Sequence, residues 1–469
     1  MKKVTIDGNY AASNIAYMFN DVACIYPITP SSPMAENCDQ FAYENKLNIF
    51  GNKLYITQMQ SEAGVAGAVH GSLIAGAKTT TFTSSQGLML MLPNMYKIAG
   101  EGLPTVFYVA ARTVATQALS IFCDYSDIYA CMKTGFNIIN CSSVQEVNDI
   151  AIACELASMK SGTPFICFFD GFRTSHELNT IYMSELEDVK KVVDYSDIAE
   201  FKNRAMNNHE PFSAGTNQNP DVYMQSRVRA LDRYKDIISV VKDSLKKQSE
   251  ITNRTYDTVE YFGDVNSRDV VVAMGTAADI LTLAKKHYKG KVGILKVRLL
   301  KPFDEKTFIE KLPKNVRNVT ILERNLDVNG IDTLTSFVLS ALQKHKIKAK
   351  TYSGSYGLGG KEFTPDMAMS VFDNMLDRKK EFFTLGVYDN VTQTNLEVKE
   401  RFVDNISDFS MRVYGLGSDG SVSSVKNIIK ILGEETTSFM QGYFDYDSKK
   451  SGSLTISHLR SSFLPINAP

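Results

Sequence analysis

Short apolar runs separated by longer amphipathic segments dominate the first 180 residues. The runs are bounded by Gly, Pro or Ser and lie at Val22–Tyr26, Thr79–Thr83, Thr105–Ala110, Asn137–Asn140 and Pro164–Phe169. Strands buried on both faces of a parallel sheet are typically continuous apolar runs of this length, and a helix usually connects one strand to the next. The pattern therefore predicts an α/β fold built on a parallel sheet.

The same alternation returns later in the chain. It predicts buried strands at Val270–Gly275, Lys291–Val297 and Val319–Glu323, with a helix after the first of them. A third segment begins at Met411 and is predicted to form a strand, a Gly-rich turn and a helix through Val425–Leu432. With about 59 residues, this segment is small for a domain, so we expect it to be incomplete.

Residues 182–260 differ in character from the two α/β units. They are polar, with Asn- and Pro-containing stretches at 207–211 and 217–220. A mixed-charge segment predicts one long helix over about Arg227–Lys247. We interpret this region as a connection that wraps around the molecule and does not form a core.

Composition and charge exclude several classes of protein. The chain has 51 Lys and Arg against 52 Asp and Glu, so no general attraction to nucleic acid or to an anionic membrane is expected. The seven Cys are dispersed without a C-x-x-C pair, which argues against iron–sulfur and zinc sites and favours reduced core thiols. The N-terminus lacks the apolar core of a signal peptide, and the apolar stretch Gly87–Ala111 is interrupted by charges and prolines. We expect a cytoplasmic protein that binds neither nucleic acid nor membrane and holds no metal.

Two candidate sites follow early predicted strands. The loop Tyr26–Pro33 presents hydroxyls, including that of Thr29, where α/β proteins bind ligands, although a rigid Pro-rich turn would read the same way. The segment Ser61–Gly71 predicts a helix with almost no large side chains, which would allow close approach of a partner. Glu62 near its start is either a functional buried carboxylate or a helix N-terminal Glu favoured by the macrodipole. We interpret His70 as a structural histidine.

Charged residues after later strands are further candidates. Arg112 closes an apolar strand and could bind a carboxylate bidentately, or it could form a surface ion pair. Asp124 and Asp127 could be a metal or acid–base pair, but a capping loop is the favoured interpretation. The polar run Asp170–Glu177 suggests either a site or a hydrogen-bonded joint between domains, and we favour the joint.

A Gly-rich loop in the third segment could bind an anion. The loop Gly415–Val422 precedes a predicted helix, so its N–H groups and the helix N-terminus could form an anion cradle, although it lacks a complete nucleotide-binding signature. Lys449 and Lys450 lie downstream and could meet a phosphate-bearing ligand.

Several of these motifs occur together, in order, along essentially the whole chain. They are Tyr26–Ser32, Gln60–Gly71, Ala110–Arg112, Leu119–Phe122, Ser142–Glu146, Phe168–Glu177, Gly215–Asp221, Lys296–Asp304, Gly415–Gly420 and Gly442–Arg460. In this combination the chain resembles pyruvate:ferredoxin (flavodoxin) oxidoreductases. That family decarboxylates a 2-oxoacid on thiamine diphosphate, transfers the acyl group to coenzyme A and passes electrons through iron–sulfur clusters to ferredoxin or flavodoxin.

The resemblance implies roles for individual residues. Glu62 matches the family's Glu that hydrogen-bonds the pyrimidine ring of thiamine diphosphate, Thr29 matches the Thr beside the substrate, and Arg112 matches the Arg that binds the substrate carboxylate. These three are the catalytic candidates. The family places coenzyme A at positions that match Gly417, Ser418, Asp419, Gly420 and Ser421, with Lys449 or Lys450.

The resemblance also implies a domain order and missing parts. Residues 1–255 would be the pyrimidine-binding domain with its wrapping linker, 256–405 a transketolase C-terminal-like domain, and 406–469 the start of the domain that contacts coenzyme A. Magnesium, the diphosphate and the iron–sulfur clusters are expected only in parts absent from this chain. We therefore expect a fragment or split subunit that acts as a homodimer or in a complex with a chain carrying those parts.

Departures from the family pattern leave alternatives open. The family usually has G-D-H-S-D where this chain has Cys123–Asp127, and usually His where it has Gln117. A non-catalytic scaffold or assembly paralogue is one alternative. Another 2-oxoacid:ferredoxin oxidoreductase subunit, acting on a different 2-oxoacid, is the other.

Overall fold

The computed structural model describes residues 1–377, 379–403, 407–445 and 452–466. The strands are β1 (Lys2–Ile6), β2 (Val22–Ile25), β3 (Tyr55–Gln58), β4 (Thr79–Thr83), β5 (Val106–Ala111), β6 (Asn137–Cys141), β7 (Phe165–Asp170), β8 (Leu178–Met183), β9 (Val259–Phe262), β10 (Asp269–Ala273), β11 (Val292–Val297), β12 (Leu299–Lys301), β13 (Asn318–Glu323), β14 (Lys350–Ser355), β15 (Phe382–Thr384), β16 (Phe409–Leu416), β17 (Phe439–Asp445) and β18 (Leu454–Ser462).

The α-helices lie between these strands. They are α1 (Gly8–Phe19), α2 (Ser32–Tyr43), α3 (Glu62–Ile74), α4 (Ser85–Glu101), α5 (Ser126–Ala130), α6 (Val144–Ser161), α7 (Leu186–Val189), α8 (Tyr195–Asn203), α9 (Pro220–Arg229), α10 (Ile237–Thr252), α11 (Gly275–His287), α12 (Glu305–Lys311), α13 (Thr333–Lys344), α14 (Pro365–Asp377) and α15 (Ser421–Glu435). No helix in the described ranges is long and apolar enough to cross a membrane.

The first α/β unit is built on a seven-stranded sheet of order β12-β6-β7-β5-β4-β2-β3. The six strands from β2 to β7 are parallel, and β12 pairs antiparallel with β6 at one edge. β4, β5, β6 and β7 are buried at every position, because helices cover both faces of the sheet. The structure thus confirms the predicted parallel-sheet α/β fold.

The second unit has a six-stranded sheet of order β15-β14-β13-β10-β11-β9. Its strands are parallel except β9, which pairs antiparallel with β11. The predicted strands around 270, 292 and 319 correspond to β10, β11 and β13.

A third, antiparallel sheet joins distant parts of the chain in the order β1-β8-β17-β18-β16. β1 and β8 come from the first 183 residues, whereas the other three strands come from the predicted third segment, and α15 packs against them. The strand, turn and helix predicted for this segment are present as β16, 417–420 and α15. The domain boundaries at 255 and 405 remain predictions, since pairing of strands across them does not fix where an independent domain begins.

The prediction of one long helix over Arg227–Lys247 is wrong. α9 ends at Arg229, a 3₁₀ turn spans Ala230–Arg233, and α10 begins only at Ile237. The wrapping interpretation also fails for α10, because Ile237, Val241 and Leu245 are buried against the main core. The apolar residues of α10 recur at helical spacing, and burying that face against the main core stabilises the helix.

The run Asp170–Glu177 forms the predicted joint between the two α/β units. The fully buried Asp170 carboxylate accepts hydrogen bonds from Arg324 (2.6 Å) and Thr276 (2.5 Å) of the second unit and from Tyr125 (2.7 Å) of the first. The Arg324–Asp170 ion pair is therefore completed by two hydroxyl donors, as a buried ion pair requires.

Candidate active site

The three candidate catalytic residues lie at one edge of the seven-stranded sheet. Glu62 follows β3, Thr29 follows β2 and Arg112 follows β5, and with β4 these strands are neighbours in the order β5-β4-β2-β3. Because the strands are parallel, their carboxyl ends meet at the same edge. The fold therefore places the three loops at one edge of the sheet, an arrangement that the sequence alone did not give.

Glu62 is a buried carboxylate without a hydrogen-bond donor in the part of the chain that the structure describes. Helix α3 begins at Glu62, and the preceding Ser61 caps it by accepting a hydrogen bond from the Gly64 N–H (3.3 Å). The Glu62 side chain is only 6% exposed, and no described residue donates to it. A buried carboxylate is normally hydrogen-bonded or paired, so Glu62 is available to a donor from outside the described chain.

Gly87 in the first turn of α4 leaves the room in which the Glu62 carboxylate lies. A Cβ at position 87 would come 2.8 Å from Glu62 Oε1 and 2.7 Å from Thr83 Oγ1, both closer than van der Waals contact allows. The buried Thr83 hydroxyl also has no hydrogen-bond partner among the residues that the structure describes. Sequence reasoning missed Thr83 and Gly87, and the only signal was their position after a buried strand.

The exposed side of helix α3 carries small residues. Ala63, Gly67 and Gly71 are spaced four residues apart, so they share one face, and all three are exposed. Opposite them, Val65 and Val69 are buried. The small residues predicted to permit close approach are thus on the surface beside Glu62.

Arg112 is held at the mouth of the site and has no ion-pair partner among the described residues. Its side chain is 7% exposed, its Nη1 donates to the carbonyl oxygen of Thr29 (2.8 Å), and its Nε donates to that of Ser120 (3.2 Å). Burial lowers the pKa of Arg112 from its usual value, although the group stays charged. The surface ion-pair interpretation of Arg112 is therefore wrong, and the remaining guanidinium donors can serve an anion.

Thr29 lies in a loop whose backbone is held in place by contacts at the adjacent Pro30. Its side chain is exposed, whereas Pro30 is buried and its carbonyl oxygen accepts a hydrogen bond from the Asn9 amide (2.9 Å). Gly171, after β7, lies so close that a Cβ there would come 2.9 Å from Pro30 Cγ. A rigid turn and an accessible hydroxyl were the alternatives predicted from the sequence for this loop, and the structure contains both.

The Asp124 and Asp127 pair is a capping loop, as favoured. Asp124 accepts hydrogen bonds from the Ser126 N–H (3.0 Å) and hydroxyl (2.6 Å) and from the Thr113 hydroxyl (2.8 Å). Within the described ranges, Asp127 accepts hydrogen bonds only from backbone N–H groups. His70 is confirmed as a structural histidine, since its Nε2 lies 2.8 Å from a Glu101 carboxylate oxygen.

The N–H groups of the Gly-rich loop in the third segment already bind a carboxylate from the loop itself. The Asp419 carboxylate accepts hydrogen bonds from the Leu416 N–H (2.7 Å) and the Ser421 N–H (2.8 Å). Ser418 and Gly420 adopt positive φ angles of 73° and 87°. The Gly417 N–H is also used, since it donates to Ser453.

This loop is therefore less open than the sequence suggested. Lys449 and Lys450 lie outside the described residues. The assignment of coenzyme A to Gly417–Ser421 and these lysines stays a prediction.

Comparison with known proteins identifies the units that carry this geometry. Residues 14–246 match the domain family described as pyruvate flavodoxin/ferredoxin oxidoreductase, thiamine diphosphate-binding. Residues 268–368 match pyruvate:ferredoxin oxidoreductase core domain II. The first range contains Thr29, Glu62 and Arg112.

Curated relatives and a solved structure agree with these matches. The chain is 48% identical to pyruvate:ferredoxin oxidoreductase of Moorella thermoacetica and 43% identical to pyruvate-flavodoxin oxidoreductase of Enterobacter agglomerans, in both cases over 100% of this chain and 40% of the relative. It thus spans about 40% of the length of these curated relatives.

The solved structure shares the fold at much lower identity. It is 2-oxoglutarate:ferredoxin oxidoreductase from Magnetococcus marinus with 2-oxoglutarate, coenzyme A and succinyl-CoA bound. It aligns with a TM-score of 0.59 at 18% identity and covers 80% of this chain and 65% of its own. The domain matches and the close relatives together show that this chain belongs to the pyruvate:ferredoxin (flavodoxin) oxidoreductase family.

Proposed function

We propose that this chain supplies the pyrimidine-binding and substrate-binding half of a thiamine diphosphate-dependent 2-oxoacid:ferredoxin (flavodoxin) oxidoreductase. The observation that carries the proposal is Glu62, a carboxylate 6% exposed at the carboxyl edge of a parallel sheet with no donor in the described chain. Thr83 Oγ1 and Glu62 Oε1 both lie against Gly87, so two buried polar groups without a hydrogen-bond partner among the described residues occur together at this point. Because the two groups are buried, a ligand that hydrogen-bonds Glu62 would remove the cost of leaving the carboxylate unpaired.

Thiamine diphosphate, when bound, would supply the carbanion chemistry that the decarboxylation of a 2-oxoacid needs. Glu62 would share a proton between its carboxylate and a pyrimidine ring nitrogen, which is an acid–base role that depends on a short and fixed hydrogen bond. Magnesium, the diphosphate and the iron–sulfur clusters would be held by the parts of the enzyme that this chain does not carry.

Arg112 and Thr29 would bind the substrate. The Arg112 guanidinium is fixed by two backbone carbonyls and has no carboxylate partner in the described ranges, so it can bind the substrate carboxylate. The exposed Thr29 hydroxyl lies on the residue whose carbonyl Arg112 contacts, and it can hydrogen-bond the reacting end of the same substrate. Arg112 thereby sets the orientation in which the 2-oxoacid loses its carboxyl carbon.

Pyruvate is the substrate we propose, because the matched relatives are named for it. Pyruvate and coenzyme A would give acetyl-CoA, carbon dioxide, a proton and two electrons, and ferredoxin or flavodoxin would accept the electrons.

We place the enzyme in the cytoplasm, as a homodimer or a complex with a chain carrying the remaining domains. The smooth exposed face of α3 beside Glu62 supports an interface there. Coenzyme A would contact the loop Gly417–Ser421 together with Lys449 or Lys450.

The test is reconstitution with a chain that carries the diphosphate-binding and cluster domains. The complex is assayed for reduction of a viologen dye with thiamine diphosphate, magnesium and coenzyme A, and with pyruvate or 2-oxoglutarate as substrate. We expect pyruvate-dependent reduction that Glu62→Gln abolishes and that Glu187→Gln, a change at a side chain 78% exposed, leaves intact. Reduction of the dye with 2-oxoglutarate but not with pyruvate would change the proposed substrate to 2-oxoglutarate. A well-folded complex that reduces the dye with neither substrate would support the scaffold alternative.

A further inference from the structure

Asp127 is a fully buried carboxylate that links three elements around the candidate site. It stands at the start of α5 and is 0% exposed. Its Oδ2 accepts hydrogen bonds from the N–H groups of Ser85 (2.8 Å) and Arg112 (3.0 Å), and its Oδ1 accepts one from the Ile128 N–H (2.8 Å). One oxygen atom therefore fixes the distance between the end of β5 and the start of α4.

Both of those elements carry a part of the site. Arg112 is the first residue after β5, and its guanidinium extends from the tethered backbone to the Thr29 carbonyl. Ser85 is the first residue of α4, two positions before Gly87, which packs against the Glu62 carboxylate. A displacement of Asp127 would therefore shift both Arg112, which we propose binds the substrate, and Gly87, which packs against the Glu62 carboxylate.

The backbone at Ser85 depends on this tether. Ser85 has a φ of 50°, a left-handed conformation that is unfavourable for a residue with a side chain. Its N–H bonds Asp127, and its hydroxyl donates to the Thr113 carbonyl (2.6 Å), one residue beyond Arg112. The strained start of α4 is therefore attached to the end of β5 in two ways: directly, through the Thr113 carbonyl, and through the Asp127 carboxylate, which accepts the stronger, charge-assisted hydrogen bonds from both Ser85 and Arg112.

No cation pairs with Asp127 in the part of the chain that the structure describes, so its charge is balanced by N–H dipoles. Burial raises the pKa of Asp127 to about 7, against the lowering effect of the Arg112 and Ser85 N–H groups, while the neighbouring Asp124 acts in the raising direction. A carboxylate placed in so costly an environment, without a direct ion-pair partner among the described residues, is not explained by an ion-pair role in stability.

We propose that Asp127 is a positioning residue that holds Arg112 and the Gly87 turn of α4 in register, and through them the substrate and the Glu62 carboxylate. The catalytic consequence rests on the proposed function, whereas the structural tether does not. Asp127 touches neither substrate nor cofactor and acts only through the backbone of its neighbours.

The tether is tested on the full chain by hydrogen–deuterium exchange of Asp127→Asn. The control for general destabilisation is Asp304→Asn. It also changes a buried carboxylate (1% exposed) that accepts a backbone N–H, from Thr307 at 3.1 Å, and it additionally removes an ion pair with Lys242 (2.9 Å), but it lies far from these strands in sequence. We expect the segments 84–88 and 111–114 to exchange at least about tenfold faster in Asp127→Asn than in wild type or the control, because each loses a charge-assisted bond. Unchanged exchange in both segments, or a uniform loss of protection like that of the control, would overturn the proposal.

The consequence for the site is tested by steady-state kinetics of the reconstituted complex. We expect Asp127→Asn to raise the KM for pyruvate about tenfold or more, with a smaller fall in kcat, and Asp304→Asn to change neither. An unchanged KM in a variant that has lost protection at 111–114 would show that Arg112 does not need the tether and would overturn the proposed role. If wild type itself turns over no 2-oxoacid, the proposed function fails and the exchange result alone decides whether Asp127 is a tether.

Discussion

The substitution Gly87→Ala would place a single methyl group against the Glu62 carboxylate. The added Cβ would lie 2.8 Å from Glu62 Oε1 and 2.7 Å from Thr83 Oγ1. An ordinary carbon–oxygen contact is about 3.4 Å, so the Glu62 and Thr83 oxygens must move by roughly 0.6 and 0.7 Å, respectively, to accommodate the methyl group. Glu62 has no hydrogen bond to break in the described chain, so its flexible side chain is the group we expect to move.

The effect on stability should be small. Overpacking costs about 1–3 kcal/mol, but alanine is favoured over glycine within a helix by about 1 kcal/mol. The net change in the free energy of unfolding is thus about 0–2 kcal/mol. The effect on turnover should be larger, because a displaced Glu62 loses a charge-assisted hydrogen bond of about 1.5–3 kcal/mol, or roughly 10–150-fold in rate.

The assay pairs chemical denaturation of the chain with turnover of the reconstituted complex. Gly100→Ala is the matched control, since Gly100 lies in the same helix, α4, and its added Cβ would meet nothing within 4 Å. We expect Gly100→Ala to keep full activity and Gly87→Ala to lose at least tenfold while remaining folded. A folded Gly87→Ala variant with activity within twofold of wild type would refute the placement of the reacting cofactor beside Glu62.

Three further predictions concern charge. Arg112→Lys should raise the KM for pyruvate more than it lowers kcat, because lysine cannot reproduce the planar bidentate contact; equal loss in both would contradict a substrate-binding role. Asp170→Asn should destabilise the chain by about 3–5 kcal/mol in urea, since it leaves the buried Arg324 charge uncompensated, whereas Asp232→Asn at an exposed ion pair should have no measurable effect. Burial lowers the pKa of His176 to about 4, with the charge of Lys426 acting in the same direction, so the folded state favours the neutral ring. Stability should therefore be complete above pH 6.5 and fall as the pH drops toward 4, by about 2 kcal/mol at pH 5; His176→Phe should lose this dependence, and an unchanged slope in that variant would assign it to another group.

The parallel sheets could be predicted from sequence because burial on both faces leaves a continuous apolar run in the chain. β7 and β10 could be predicted for that reason alone. The helices of the connecting region could not be predicted in this way, because α9 has no buried residue, while α10 is fixed by packing against α6. Helix propensity and charge pattern do not distinguish α9 from α10, so tertiary packing decides which of the two helices is buried.

The candidate site was predictable in its residues but not in its arrangement. Thr29, Glu62 and Arg112 follow strands whose order in the sheet the sequence does not state. The room beside Gly87 and the tether at Asp127 depend on distances across strands that are far apart in the chain. In the Gly415–Val422 loop, local spacing suggested an open anion cradle, whereas the structure shows the Asp419 carboxylate bonded to two of its N–H groups.

The central claim is that Glu62 activates thiamine diphosphate. The most direct measurement is the rate at which the thiazolium C2 proton of bound thiamine diphosphate exchanges with deuterated solvent in the reconstituted complex, which needs neither substrate nor electron acceptor. We predict that Glu62→Gln slows this exchange at least about a hundredfold, consistent with the contribution of a positioned acid–base group, while cofactor remains bound and Glu187→Gln exchanges like wild type. Equal exchange rates in Glu62→Gln and wild type, with the cofactor bound in both, would contradict the claim.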